Sequence, residues 1–466
     1  MKLSSRVVPL CIAFSCAAVS LNAQQYHVVG YYPMWVRSTL PASAVKFEHL
    51  THINHAFAWP TADGNILAYD AVADTVIINA THRAGRKILV SLGGAAESGG
   101  FSAMAADSTA RQAFVGNLVS YLKNNGYDGA DLDWEGPQSD ADKSNEVTLV
   151  KEIRQAFQAT DSTWLLTMAV GVTDWSGRWH DFGSLIKYVD WFNAMTYDYH
   201  GSWSSHAGHN APLYLGSDPI NDYSVDQSFL YLSGTRSIPK EELVLGLPFY
   251  GKSFGTSTLY TSYAGEQDLA FRDVMNAVRS GSWTYNWDNA SKVPYYTSVS
   301  PPRLISFDDS VSIAIKCQYA RSKGVSGVMI WELSQDVIGR EQPLMDVVGA
   351  QMIATTGVPE SQSDLRSTGF ALFDNYPNPF SARGESTFGG NPSTTIRFAI
   401  PVSANVSIRI FDMLGREVAT LLNEYRNAGT GNVRFDASNY DITSGVYFYR
   451  IQAGAFTQTK KLILVK

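Results

Sequence analysis

The chain has 466 residues, 45% of them hydrophobic and 12% aromatic, enough for a large core and a second, smaller unit. Charged residues make up only 17% and the formal net charge is −7, which argues against a partner held through phosphate groups or anionic lipid. Two of the three cysteines, Cys11 and Cys16, fall in an N-terminal stretch expected to be removed as a leader, which would leave Cys317 alone and no intramolecular disulfide framework.

Residues 1–23 read as a signal peptide. Lys2 and Arg6 supply a positive start, Val7 to Leu21 an apolar stretch and Ala23 a small residue for cleavage. No other segment reaches the roughly 18 consecutive apolar residues of a membrane-spanning helix, so no integral span is expected.

From residue 24 to about 355, short apolar runs alternate with helical patterns. The strand-like runs are 27–33, 50–57, 87–92, 130–135, 165–171, 191–197, 243–249 and 327–332. Several are apolar nearly throughout, as parallel strands covered on both faces must be. Amphipathic stretches at 111–124, 146–159 and 310–323 lie between them. Eight strand-then-helix units predict a closed (β/α)8 TIM barrel, with a doubly wound open sheet as the alternative. Residues 251–309 break this rhythm. They are rich in Tyr, Trp, Gly and Ser and read as an α+β insertion after the seventh strand. Residues 356–369 are polar and read as a linker. In 370–466, runs at 395–400, 406–411, 432–436, 445–451 and 460–465 are separated by turns, which predicts an all-β sandwich.

The densest chemistry is the run Asp128-Gly-Ala-Asp131-Leu-Asp133-Trp-Glu135. Alternation along a strand puts Asp131, Asp133 and Glu135 on one face, about 7 Å apart along the backbone. Three such acids inside a barrel cannot all ionise cheaply, so at least one proton is retained. A carboxyl that stays protonated near neutral pH can protonate a leaving oxygen, and Glu135, last and nearest the mouth, is the candidate. The same acids loosely imitate the start of a calcium loop. Residue 142 is Asp where that loop needs Glu, and Leu132 and Trp134 suit a buried strand, so no metal is expected. No cofactor is expected either. His52 and His55 are read as structural, and His200, His206 and His209 as lining a loop.

The run from Asp128 to Glu135 resembles the Asp-x-x-Asp-x-Asp-x-Glu signature of glycoside hydrolase family 18, the chitinase family. Four further segments are similar to that family's motifs, in the same order: Ser91-Leu-Gly-Gly94, Met195-Thr-Tyr197-Asp198, Gly246-Leu-Pro-Phe-Tyr250-Gly-Lys252, and Trp331 within Val328-Met-Ile-Trp-Glu-Leu. The resemblance covers about residues 27–350. It implies a retaining mechanism in which the substrate's own acetamido group is the nucleophile. It further implies Glu135 as general acid and base, Asp133 orienting the acetamido group, and Asp131 sharing a proton with Asp133, backed by Ser91 and Tyr31. Tyr197 would bind the acetamido oxygen, and Asp198, Tyr250, Met195 and Phe57 would contact the sugar. Trp331 would form its floor, and Trp203 a platform on the leaving-group side. Lys252 stands where many relatives carry Arg, and no salt bridge is assigned to it. The implied partner is chitin or its oligosaccharides. Alternatives within the same resemblance are an endo-β-N-acetylglucosaminidase on glycoprotein glycans or peptidoglycan, and a non-catalytic chitin-binding barrel.

The C-terminal segments Asn375-Tyr-Pro-Asn-Pro-Phe380, Ser444-Gly-Val-Tyr-Phe448 and Lys460-Lys-Leu-Ile-Leu-Val-Lys466 resemble the type IX secretion sorting domain. That implies export, with the secretion machinery as a second partner and a secreted or cell-surface location.

Overall fold

A computed structural model describes residues 26–69, 74–216, 223–279, 282–353, 370–373, 375, 380–381, 393–413, 415–427, 429–440, 442–454 and 456–465. The expected leader (1–23) and linker (356–369) lie outside the described residues, as does most of the Asn375–Phe380 motif.

Eight parallel strands form the first unit: β1 (His27–Pro33), β2 (His52–Pro60), β3 (Lys87–Gly93), β4 (Gly129–Asp133), β5 (Leu165–Val170), β6 (Trp191–Ala194), β7 (Leu243–Pro248) and β8 (Gly327–Trp331). Each pairs with its neighbour in chain order. β8 also pairs with β1, His27 opposite Gly327, which closes the barrel and eliminates the open-sheet alternative. Strand alternation separates two apolar sets. Val28, Ile88, Val90, Leu132, Leu166, Phe192 and Leu245 point outward into the large core beneath the helices. Val29, Tyr31, Trp191, Val244 and Met329 point inward.

Helices start earlier than periodicity suggested. Asp107 caps Ser108–Asn125 and Ser139 caps Asp140–Thr160, so the polar first turns add length without an apolar stripe. The helix Ser310–Lys323 has the expected bounds. Asp309 and Ser312 form a reciprocal cap at its start, and Gly324 ends it at φ 73°.

After β7 the chain builds a five-stranded antiparallel sheet, in spatial order Glu266–Ala270, Tyr250–Phe254, Pro302–Ser306, Val293–Val299, Thr284–Asp288, with the helix Phe271–Arg279 beside it. This is the α+β insertion. The second unit has a three-stranded and a five-stranded sheet around its own core of Ile396, Phe398, Ile408, Ile410, Phe435, Tyr449 and Leu462. Its strand Glu417–Arg426 was missed in the sequence, where exposed polar residues break the alternation. Among the described residues, no helix is long and apolar enough to cross a membrane.

Candidate active site

Every site residue inferred from sequence comes from the C-terminal end of a barrel strand or the segment just beyond it. Tyr31 lies on β1, Phe57 on β2, Ser91 on β3, Asp131 and Asp133 on β4, and Trp331 on β8. Met195, Tyr197 and Asp198 follow β6, and Tyr250 follows β7. Tyr31, Phe57, Met195, Tyr197 and Trp331 belong to one apolar cluster inside the barrel. The Trp331 ring lies nearly parallel to Phe57 (centroids 5.7 Å, 25°) and meets Tyr31 edge-on at 5.4 Å.

Strand register explains the environment of Asp131. Its neighbours across the sheet are Ser91 on β3 and Thr167 on β5, so their hydroxyls face it from both sides. Oδ2 accepts from Tyr31 Oη (2.7 Å) and Ser91 Oγ (2.8 Å). Oδ1 accepts from Thr167 Oγ1 (2.6 Å) and Asn193 Nδ2 (3.0 Å). Burial pushes this carboxyl up, and the four donated hydrogen bonds push it back down. None of the four comes from Asp133.

Asp133 has the opposite environment. It is buried, its Oδ1 has no hydrogen-bond partner, and Gly93 is its register neighbour. Burial, followed by the charges of Glu135 and Asp131, holds it well above the usual carboxylate range. Gly93 is required there, because at φ 116° a Cβ would stand 2.1 Å from the Asp133 carbonyl oxygen.

Glu135 is not part of the strand, which ends at Asp133. Its amide donates to Ser98 Oγ (2.9 Å), and Ser98 in turn donates to the carbonyl oxygens of Gly94 and Asp133. Between the acids, Trp134 turns outward and stacks on Phe101 at 5.2 Å, anchoring the segment. Glu135 as a residue is open to solvent, as a group that meets a substrate must be. Its carboxyl nevertheless has protein packed around it. That burial, together with the charge of Asp198, raises it to about 7.

Asp198 adopts a left-handed backbone (φ 59°), and its amide donates to Asn210 Oδ1 (3.2 Å). Its Oδ1 accepts from Tyr250 Oη (2.6 Å) and faces Lys252 Nζ at 3.0 Å. Lys252 does carry salt bridges, which corrects the expectation. The buried ammonium also meets Asp268 Oδ1 at 2.6 Å and Glu266 Oε1 at 3.8 Å, and lies 5.1 Å from the centre of the Trp203 ring. Burial works against this charge, while Asp198 and Asp268 outweigh it and leave the lysine above its ordinary value. Trp203 is 63% exposed, its ring folded over Gly201.

Sequence reasoning missed Thr167, Asn193, Ser98, Asn210 and Lys252. For the first two a signal existed, a lone polar residue at inward parity in an otherwise apolar strand. Ser98 and Asn210 lie outside the strands, and Lys252, present in the sequence motif without an assigned partner, finds Asp268 only through the pairing of the inserted sheet. The histidines after β6 lie in an irregular segment, and His200, His206 and His209 are buried there. His209 bonds Asp288 (3.1 Å) and Ser306 (3.3 Å), tying the segment after β6 to the inserted sheet. His52 and His55 are structural as expected, His55 bonding Tyr127 Oη at 2.7 Å. Among the described residues, no group of three or more His, Cys, Asp or Glu is arranged to hold a metal ion.

Comparison with known proteins gives the chain's relatives. Chitinase A1 of Niallia circulans is 29% identical over 445 residues, covering 76% of this chain and 63% of that protein. The Manduca sexta endochitinase is 28% identical over 371 residues, covering 70% of this chain and 66% of that protein. The chain therefore spans just under two thirds of the length of these relatives. The crystal structure of the Ostrinia furnacalis Group IV chitinase superposes with a TM-score of 0.66 at 28% identity, covering 70% of this chain and all of that one. Residues 390–466 match the secretion system C-terminal sorting domain. Residues 27–336, two thirds of the chain and the whole of the carboxylate site, match the glycosyl hydrolases family 18, and the chain belongs to that family.

Proposed function

We propose that the protein is a secreted chitinase that hydrolyses β-1,4-linked N-acetylglucosamine polymers with retention of configuration. The observation that carries the reading is the Glu135 carboxyl, raised to about 7 at the barrel mouth, just beyond a buried Asp133 whose Oδ1 has no partner in the protein and a fully hydrogen-bonded Asp131. Glu135 delivers its proton to the glycosidic oxygen as the bond to C1 breaks. The acetamido carbonyl oxygen of the same sugar forms a bond to C1 in its place, an intramolecular attack favoured by its high effective molarity. Water then attacks C1, Glu135 takes back a proton, and the oxazolinium ring opens.

In this scheme Asp133 receives the acetamido N–H and offsets the positive charge of the ring. Asp131 supports it from below with Ser91 and Tyr31. Tyr197 hydrogen-bonds the acetamido oxygen. Asp198, braced by Tyr250 and Lys252, binds the sugar, with Met195 beside it. Trp331 and Phe57 form the apolar floor, and Trp203 stacks the leaving-group side. The sorting domain supports type IX export to the surface or medium.

A time course of products and their anomers from a chitin hexamer tests the reading. Retained configuration is expected, with faster turnover of chitin than of glycoprotein glycan or cell wall. Glu135→Gln is expected to lower kcat by about 10²–10⁴-fold while leaving oligomer binding intact. Inverted products, or undiminished turnover by Glu135→Gln, overturn it.

A further inference from the structure

Asn193 is fully buried on β6 and uses both ends of its amide. Nδ2 donates to Asp131 Oδ1 (3.0 Å), and Oδ1 accepts from Trp191 Nε1 (3.1 Å). Trp191 is two residues earlier on the same strand, so both side chains enter the barrel, Trp191 further from the catalytic mouth. It lies opposite Thr167 of β5 in register, and Thr167 is the other donor to Asp131 Oδ1.

A primary amide is nearly symmetric in shape but not in chemistry. Turned half a revolution about its last bond, the Asn193 amide would fill the same space and present its oxygen to Asp131. Two acceptors can share that contact only if the carboxyl carries a proton, so the orientation of the amide and the charge of Asp131 are linked. The indole N–H selects between the two orientations. It donates and cannot accept, so the amide oxygen must face Trp191 and the NH2 must face Asp131. Burial raises the Asp131 carboxyl, and the bond from Asn193 is one of the four that pull it back.

The selecting ring is itself held in place. Trp191 is 2% exposed. It stacks on His27 (centroids 4.3 Å, 18°) and meets His52 edge-on (4.9 Å, 63°), and His52 Nδ1 lies 2.8 Å from Thr51 Oγ1. Burial lowers both imidazoles, His52 to about 3, so near neutral pH the indole rests on uncharged rings.

We propose that Trp191 is a positioning residue for the reaction: by holding the Asn193 amide with its NH2 toward Asp131, it keeps a negative charge beneath Asp133. The inference rests on the chitinase reading above.

The test is the pH dependence of kcat/KM for a chitin tetramer in the parent, Trp191→Phe, Asn193→Leu and the double variant, with thermal melting to show that each is folded. Trp191→Phe keeps a flat ring against the histidines and removes the N–H. Protonation of Asp131 removes the charge beneath Asp133, so activity falls as pH falls through its pKa. A carboxyl released toward its protonated form moves that fall to higher pH. In Trp191→Phe the acidic limb is expected to move up by about one pH unit, a loss of roughly tenfold at a fixed pH on that limb. The alkaline limb, set by Glu135, stays where it is. Of the other groups facing Asp131, Ser91 and Thr167 do not titrate, burial holds Tyr31 and Tyr197 far above the usual tyrosine range, and the substitutions leave Asp133 in place. Asn193→Leu spares Trp191 and both histidines and is expected to move the same limb in the same direction, and Trp191→Phe is expected to add nothing to it. An unmoved acidic limb in either folded single variant, or shifts that add in the double variant, overturns the role while the chitinase reading stands. A parent that does not turn over the tetramer sinks the chitinase reading, and this role falls with it.

Discussion

Replacing Asp131 separates the carboxylate's structural work from its charge. In Asp131→Ala, Tyr31 Oη, Ser91 Oγ, Thr167 Oγ1 and Asn193 Nδ2 lose their acceptor inside the barrel. Each orphaned buried donor costs about 1–3 kcal/mol. Removing a buried carboxylate restores part of that, because its own desolvation was costly. The balance is a loss of about 3–5 kcal/mol, the usual cost of stripping one partner from a buried charged network. At roughly 2 °C per kcal/mol, the barrel should melt about 6–10 °C lower. Asp131→Asn behaves differently. Its carbonyl can keep the Thr167 and Asn193 bonds, and its amide can donate to the Tyr31 and Ser91 hydroxyls, which rotate to accept. That variant should lose only about 1–2 kcal/mol. Both variants should lose chitin-oligomer turnover, since neither retains a negative charge beneath Asp133. Calorimetry of the parent and both variants gives the order directly. An alanine variant melting at or above the asparagine variant refutes the account of Asp131 as a saturated acceptor.

Three further outcomes follow from the same geometry. Glu135 must be protonated to act as an acid, so kcat/KM should fall as pH rises through about 7; in Asp198→Asn, with the second cause of the upward shift removed, that limb should move to lower pH. Unmoved pH–rate profiles would show that Asp198 does not influence the acid. Lys252→Met leaves Asp198, Glu266 and Asp268 facing one another without a cation and frees the Trp203 ring; KM for a chitin tetramer should rise more than kcat falls, and Lys252→Arg should recover much of the loss. Gly93→Ala should cost at least about 1–3 kcal/mol in denaturant unfolding, from backbone strain alone, because its Cβ meets the Asp133 carbonyl.

Much of the barrel was legible because parallel strands buried on both faces are written as apolar runs. His27–Pro33 and Ser310–Lys323 have the bounds read from the chain alone. Strand ends were less legible. The runs toward Glu135 and Tyr197 stay rich in strand-forming residues, yet pairing stops at Asp133 and Ala194, where the chain leaves the ladder to present its side chains at the mouth. The histidines after β6 look polar and loop-like in one dimension, and only the inserted sheet, packed against them, makes them interior.

The sequence alone determined that Asp131 and Asp133 share a face, since alternation along a strand is a local rule that needs no partner; Glu135 lies beyond the strand's end, where that rule does not reach. The sequence could not determine which acid would be held furthest above the ordinary carboxylate range. That difference comes from the closed barrel: β1, β3, β5 and β6 bring four donors to Asp131 and none to the Oδ1 of Asp133, and the folded barrel removes the water that would otherwise solvate both alike. Lys252 makes the same point. Its ion pairs join residues from the segments after β6 and β7, and those distances are set only in the folded protein, where the strand carrying Lys252 pairs with the one carrying Asp268.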